Sequence, residues 1–319
     1  MAQQEFINGL NALLPCHHDC VATIGSFDGV HLGHQALIAQ VQKIASQLGL
    51  PSVVIVFEPQ PYEYFSREKA PSRLTRLREK VGQLFEQGVD RVLCLKFDPM
   101  LRGLSAQAFV DQVLVSALGV RHLVVGDDFR FGCDRNGDFS FLQQYGEHAG
   151  FSVTDTHTQL AEGVRISSTR IRSLLEQDRL AEAGKLLGRE YSVTGRVVYG
   201  NQLGRTLGFP TANIGLGRYR AAVQGVYAVT VTGGGLLKPH RGVANVGVKP
   251  TISGGRKPLL EVHILDVEAS LYGECLHVDF KHKLRAEMRF DSLEQLKSQI
   301  AQDVESARSW FQYPEYQTN

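Results

Sequence analysis

Four short runs of nearly uninterrupted apolar residues, CVATIGSF (20–27), SVVIVF (52–57), DRVLCLKF (90–97) and RHLVVG (121–126), alternate with stretches of helical periodicity; after about Leu187 the alternation stops. This change of rhythm constrains the fold more than any other feature of the chain. Runs without polar alternation read as strands covered on both faces, the way parallel sheets are built. Between them, Leu37, Ile38, Val41, Ile44, Ala45 and Leu48 fall on one helical stripe, as do Leu77, Val81, Leu84 and Phe85. A third helix is expected from Ser105, a good N-cap, to Leu118, with Gly119 just past its end. The pattern indicates an α/β N-terminal half with a doubly wound parallel sheet, whose ligands sit at the carboxyl ends of the strands.

The second half reads differently. YSVTGRVVYG, GVYAVTVTG, RGVANVGV, LLEVHILDV and CLHVDFKH are strand-like segments joined by Gly-, Pro- and Asn-rich connections. Val229, Val231 and the Gly233-Gly234-Gly235 turn point to hairpins, and strands without crossover helices favour an antiparallel barrel or sandwich. A terminal amphipathic helix is expected, with Leu293, Leu296, Ile300, Val304 and Ala307 on one face. The boundary is expected in the Gly188-Arg189-Glu190 stretch, giving domains 1–187 and 188–319.

Lys+Arg 34 against Asp+Glu 33 leaves a net charge of +1, without the basic excess of a general nucleic-acid or membrane-surface binder. No apolar run is long enough to span a bilayer, and residues 1–9 lack the basic and apolar regions of a signal peptide. Five irregularly spaced cysteines argue against a disulfide framework and for a reducing cytoplasm.

The segment Gly25-Ser26-Phe27-Asp28-Gly29-Val30-His31-Leu32-Gly33-His34 follows a predicted strand and opens a predicted helix. Its glycines permit a tight turn and a close approach by phosphate, and a helix N-terminus offers N–H groups to an anion. His31 and His34, three apart on a helical turn, face the same side and suit a phosphate whose charge grows in a transition state. Cys16-His17-His18-Asp19-Cys20 invites comparison with a zinc site, but its spacing fits no closed tetrahedral pattern, and it is expected to lead into the first strand.

Residues 25–34 resemble the HxGH signature of class I nucleotidyltransferases and, in the longer form GxFDGxHxGH, the bacterial bifunctional riboflavin kinase/FAD synthetases. Ile166-Ser167-Ser168-Thr169-Arg170-Ile171-Arg172 is similar to that superfamily's second phosphate motif, ISSTxxR, although on its own Ser-Ser-Thr before a helix is a cap. Gly126-Asp127-Asp128-Phe129-Arg130-Phe131-Gly132 with Arg135-Asn136-Gly137-Asp138 resembles the family's GxDFRFG…RxGD segment. One departure stands out: Gln60, in Phe57-Glu58-Pro59-Gln60-Pro61, occupies a position where many members have His, and Gln cannot become cationic.

In the second half, Gly204-Arg205-Thr206-Leu207-Gly208-Phe209-Pro210-Thr211-Ala212-Asn213 resembles the PTAN signature of riboflavin kinases. Thr211 and Asn213, two apart in an extended segment, project to one face, and two neutral oxygens there suit Mg²⁺. In Leu260-Glu261-Val262-His263, Glu261 interrupts an apolar run and shares a face with His263. Pattern alone leaves it as either a solvent-facing or a functional carboxylate. Ala244-Asn245-Val246-Gly247, Lys249-Pro250-Thr251, Leu271-Tyr272-Gly273-Glu274 and Leu284-Arg285-Ala286-Glu287 extend the resemblance, and no P-loop or protein-kinase motif is present.

The resemblance implies a nucleotidyltransferase-like sheet followed by a β-barrel with a terminal helix, the barrel making FMN from riboflavin and ATP, the sheet making FAD from FMN and a second ATP. It implies Glu261 as catalytic base, with Thr211 and Asn213 as ligands of Mg²⁺. It implies Gly204 and Arg205 at the kinase nucleotide and Arg285 at its flavin. In the sheet domain, His31 and His34 are the implied catalytic residues. Gly25, Phe27, Asp28, Gly29, Gly33, Ser167, Ser168, Thr169 and Arg172 would hold ATP and phosphate, with Asp128, Phe129 and Arg130 at the flavin. The expected partners are these small molecules, with no nucleic acid or membrane, on a monomer or weak homo-oligomer.

Overall fold

The computed structural model describes residues 4–66, 69–133, 135–156, 160–161, 164–200, 203–250, 256–267 and 269–313. Thr251, quoted above, lies outside them. The chain divides into two compact units: Met1–Pro71 with Leu77–Ser168, and Ser72–Arg76 with Thr169–Asn319.

The first unit is built on six parallel strands, β1 (Glu5–Asn8), β2 (Cys20–Ile24), β3 (Ser52–Glu58), β4 (Arg91–Lys96), β5 (Val120–Gly126) and β6 (Ser152–Thr156), in the order β1-β4-β3-β2-β5-β6. Strands β2 to β5 are the four apolar runs. Their alternate residues feed two cores: Ala22, Ile24, Val53, Ile55, Leu93 and Leu95 on one face, Val21, Val54, Val56, Val92 and Cys94 on the other. The edge strands β1 and β6 were not legible as apolar runs, because each meets the core on one side only and carries polar residues (EFIN, SVTDT). A further two-stranded ribbon pairs β7 (Leu160–Ala161) with β8 (Val164–Arg165).

Helix α1 (Leu32–Leu48) buries Leu37, Ile38, Val41 and Ala45 on the second core. Leu48, expected on that stripe, is exposed: Gly49, at φ +67°, ends the helix and turns the chain away. Helix α2 (Leu77–Glu86) buries Leu84 and also Lys80. Ser105 caps the next helix, its Oγ accepting from the Ala108 N–H at 3.1 Å, and Ala106–Phe109 continues as a π-helical stretch, Val110–Ala117. Helix α3 (Phe139–Ala149) precedes β6.

In the second unit, helices α4 (Ser168–Glu176) and α5 (Leu180–Leu187) lead into a closed barrel. Its strands are β9 (Ser192–Val198), β10 (Ala212–Gly215), β11 (Gly225–Gly233), β12 (Leu236–Pro250), β13 (Arg256–Ile264) and β14 (Cys275–Arg285), all antiparallel, in the order β10-β13-β12-β11-β14-β9. Closure leaves no free edge, which decides barrel over sandwich. The expected hairpin turn is present, with φ of +90°, +60° and +79° at Gly233, Gly234 and Gly235. The terminal helix α6 (Leu293–Gln312) docks Val304 and Ala307 against Val226, Ala228, Val243 and Leu265. Leu296 and Ile300 are half-buried, whereas Leu293, expected on the same face, is exposed as the helix's first residue.

Candidate active sites

Strand order reverses at β2, which lies between β3 and β5, so a ligand crevice is expected beyond the carboxyl ends of β2 and β5. The loop after β2 is held there by strain and burial together. Phe27 and Val30 have φ of +46° and +38°, values that cost a side-chain-bearing residue energy, and both are fully buried. Gly29, at φ +85°, takes the same region without that cost.

His31 is not inside the helix, as the three-residue spacing suggested; it is the N-cap of α1, in an extended conformation. Its Nδ1 accepts from the His34 N–H at 3.3 Å, so the neutral ring carries its hydrogen on Nε2. The two imidazoles nevertheless come together, stacked at 3.6 Å between centroids and 13° between planes. Gly33 makes room for this, since a Cβ there would lie 3.2 Å from the His31 ring. Phe27 backs His34 at 5.0 Å. Lys80, fully buried, donates to the Ser26 carbonyl and tethers the same loop. Nothing in the sequence separated it from the solvent-facing lysines of an amphipathic helix.

The 166–172 segment meets this loop through Ser168, whose hydroxyl donates to the Asp28 carbonyl at 2.9 Å. Ser167 is half-buried beside it in sequence and Thr169 is exposed. The Arg172 Nε donates to the Ser72 carbonyl at 2.6 Å, a bond inside the second unit. After β5, Asp128 and Arg130 are exposed, Asp128 pairing with Arg165 at 2.6 Å and Arg130 with Asp138 at 3.9 Å. Phe129 stacks on Phe131 at 5.4 Å against the core. Gln60 is buried at the start of a short helix, Pro61–Phe65, its backbone N–H donating to Glu63.

The 16–20 segment does lead into a strand. His17 accepts from the Leu14 N–H on Nδ1 and meets Glu5 through Nε2 at 3.0 Å. Burial pushes the Cys20 thiol up to about 12, opposed by nearby Arg91, so it stays a neutral S–H rather than a thiolate ligand. Among the described residues no group of three His, Cys, Asp or Glu could hold a metal ion.

In the barrel, two cavities adjoin. One, of about 430 Å³, is lined by Arg205, Thr211, Asn213, Ser270 and Tyr272; the other, of about 340 Å³, by Gly204, Thr211, Asn213, Asn245, Glu261 and Arg285. Thr211 and Asn213 belong to both. Glu261 on β13 pairs in register with Asn213 on β10 and with Asn245 on β12, so the carboxylate stands between two carboxamides on one face of the sheet. That face lines the cavity. Asn213 is buried, and its side chain lies where a Cβ on Gly200 would fall, 2.5 Å from Nδ2. The approach to Thr211 is fixed from two sides. A Cβ on Gly204 would sit 2.4 Å from the Phe209 carbonyl, and His263 donates from Nδ1 to the Pro210 carbonyl at 2.8 Å.

Arg285 also lines the second cavity, with Phe290, Leu296, Ile300 and Asp303. Asn245, His263, Phe290 and Asp303 were given no role by the sequence reading. Signals existed for three of them: Asn245 stands in a segment that extends the resemblance, His263 shares a strand face with Glu261, and Asp303 is a carboxylate in the apolar stripe of Leu296, Ile300 and Ala307.

Comparison with known proteins accounts for both units. The family model of FAD synthetase matches residues 14–170 and that of riboflavin kinase residues 187–311. A bifunctional riboflavin kinase/FMN adenylyltransferase of Escherichia coli (strain K12) is 51% identical over 308 residues, covering 96% of this chain and 98% of the relative. Another, of Pseudomonas fluorescens, is 51% identical over 305 residues, covering 96% and 97%. The crystal structure of a macrolide-efflux protein from Streptococcus pneumoniae aligns with a TM-score of 0.76 at 32% identity, over 96% of this chain and 99% of that one. Among the described residues no helix is long and apolar enough to cross a membrane. A parallel sheet that matches FAD synthetase, followed by a closed barrel that matches riboflavin kinase, defines a two-module transferase. The chain belongs to the family of bifunctional riboflavin kinases/FMN adenylyltransferases.

Proposed function

We propose that the barrel phosphorylates riboflavin and the parallel-sheet unit adenylylates the FMN so formed, with the following division of labour. Glu261 takes the proton from the 5′-hydroxyl of the ribityl chain as its oxygen attacks the γ-phosphorus of ATP, and ADP leaves. Riboflavin occupies the Glu261 cavity with Arg285, and the nucleotide occupies the Arg205 cavity with Gly204 at its rim. The observation that carries this reading is the sharing of Thr211 and Asn213 between the two cavities: the phosphoryl group crosses there. Two neutral oxygens at that junction fit Mg²⁺, which takes few protein ligands and completes its shell from water and phosphates. When bound, the ion offsets charge on the transferring phosphate.

In the first unit the FMN phosphate attacks the α-phosphorus of a second ATP and pyrophosphate leaves. The nucleophile, with a second pKa of about 6, needs no strong base. His31 and His34 donate hydrogen bonds to charge growing at the α-phosphorus, and the turn of Gly25, Phe27, Asp28, Gly29 and Gly33 brings backbone N–H groups to the phosphates. Within this unit Ser167 and Ser168 hold the pyrophosphate end; Asp128, Phe129 and Arg130 face the flavin. The protein acts in the cytoplasm on these small molecules, as a monomer or weak homo-oligomer. Incubation with riboflavin, ATP and Mg²⁺ with the flavins separated over time tests the reading: FMN appears first and FAD follows, and a chain that forms neither refutes it.

A further inference from the structure

We infer that Asp303, on α6, is a positioning residue for the flavin: it locks the plane and cancels the charge of Arg285, so that the cavity presents a flat, neutralised guanidinium face to an uncharged planar ring. The inference rests on reading the Glu261 cavity as the riboflavin site.

Arg285 stands at the end of β14 and lines that cavity. Its Nε and Nη2 donate to the two carboxylate oxygens of Asp303, each at 2.8 Å, and its Nη1 donates to the Ala286 carbonyl at 2.9 Å. All three guanidinium nitrogens are thus engaged in the plane of the group, leaving a face for contact. The Phe290 ring lies 5.8 Å away. Asp303 is 5% exposed and accepts a third hydrogen bond, from Gln299 Nε2 at 3.1 Å.

A buried ion pair adds little or nothing to stability compared with well-packed apolar residues, and Asp303 sits beside Val304 and near Ala307, where an apolar side chain would serve the helix equally. Its presence is therefore accounted for by the arginine and by what the arginine faces. A lysine could not substitute, because a point charge on a flexible stem has no plane to lock. The isoalloxazine ring of riboflavin is flat and uncharged at neutral pH, so an arginine relieved of its charge and fixed in orientation fits it without the desolvation cost of a bare cation.

The test uses the full chain, titrated with riboflavin by its fluorescence quenching and assayed for FMN formation. Asp303→Asn removes the charge and one acceptor at constant size. Its Kd and KM for riboflavin rise about 10- to 100-fold, while kcat at saturating riboflavin stays within about threefold of parent and the KM for ATP is unchanged. Asp303→Glu recovers part of the affinity. Adenylylation of supplied FMN, read on the same sample, reports that the chain is folded. Should Asp303→Asn not fold, Arg285→Lys carries the test alone, since it keeps the charge and loses the plane: its riboflavin Kd rises by about the same factor. A riboflavin Kd within about twofold of parent in either variant overturns the inference, as does a KM for ATP that rises in step with that for riboflavin. Glu261→Gln assayed alongside separates the two levels: FMN formation at the parental rate in that variant refutes the reading of the cavity itself.

Discussion

Substituting Glu261 by Gln keeps the side chain's size and its place between Asn213 and Asn245 but removes its basicity. FMN formation is expected to fall about 10²- to 10⁴-fold, the usual range for a general base, while FMN supplied from outside is still converted to FAD. Chromatographic separation of the flavin products reads both. His31→Ala acts in the other unit and in two ways. It deletes the N-cap acceptor of α1, costing about 1 kcal/mol of stability, and it removes one of the two stacked imidazoles. FAD formation should drop about 10²- to 10³-fold with FMN accumulating from riboflavin; parental FAD synthesis would refute the role given to the histidine. That His31 and His34 come together, and that Thr211 and Asn213 border one cavity, was legible from short-range spacing. The roles given to them came from the family resemblance, since a turn or a cap explains such residues equally well locally. How they are held was not legible. The capping role of His31 depends on the local backbone conformation of the turn, and the buried Lys80 and the clamp of Asp303 on Arg285 depend on residues brought together from separate elements.

At the level of elements, the strands covered on both faces were read directly, whereas β1 and β6 were invisible because an edge strand needs only a few buried residues. The same incomplete burial explains Leu48 and Leu293, each apolar and in phase with its helix but placed at an end where the core has run out. The pairing of β5 with β6 carries a pH signature. His122 on β5 is buried, with Ser152 Oγ at 2.6 Å from Nδ1 and Thr154 Oγ1 at 3.0 Å from Nε2, both hydroxyls on β6. Burial holds its pKa below the ordinary 6.5. A depressed histidine favours the fold only while neutral, so its contribution is complete above about pH 6.5 and is lost as pH falls through the lower folded-state value. Thermal unfolding midpoints of the parent should therefore fall between about pH 7.5 and 5.5 by more than those of His122→Gln, which does not titrate. Equal shifts in both proteins would show that another group dominates.

Two transferase sites on one chain raise a question that only the whole molecule answers: does the product of the barrel reach the sheet unit through solution? If each unit works alone, Glu261→Gln supplies a competent adenylyltransferase and His31→Ala a competent kinase. Neither makes FAD from riboflavin at a useful rate, but an equimolar mixture should. FMN released by the histidine variant accumulates and is then captured by the glutamate variant, so FAD appears after a lag. Diluting both proteins together should lengthen that lag, because free FMN must climb to the concentration the second site requires before flux becomes appreciable. In the parent, an unrelated excess of unlabelled FMN added to labelled riboflavin should dilute the label in FAD to the same degree as in the mixture. If the mixture makes no FAD while each variant retains its own reaction, FMN is not handed over through solvent, and the two activities are coupled within one chain.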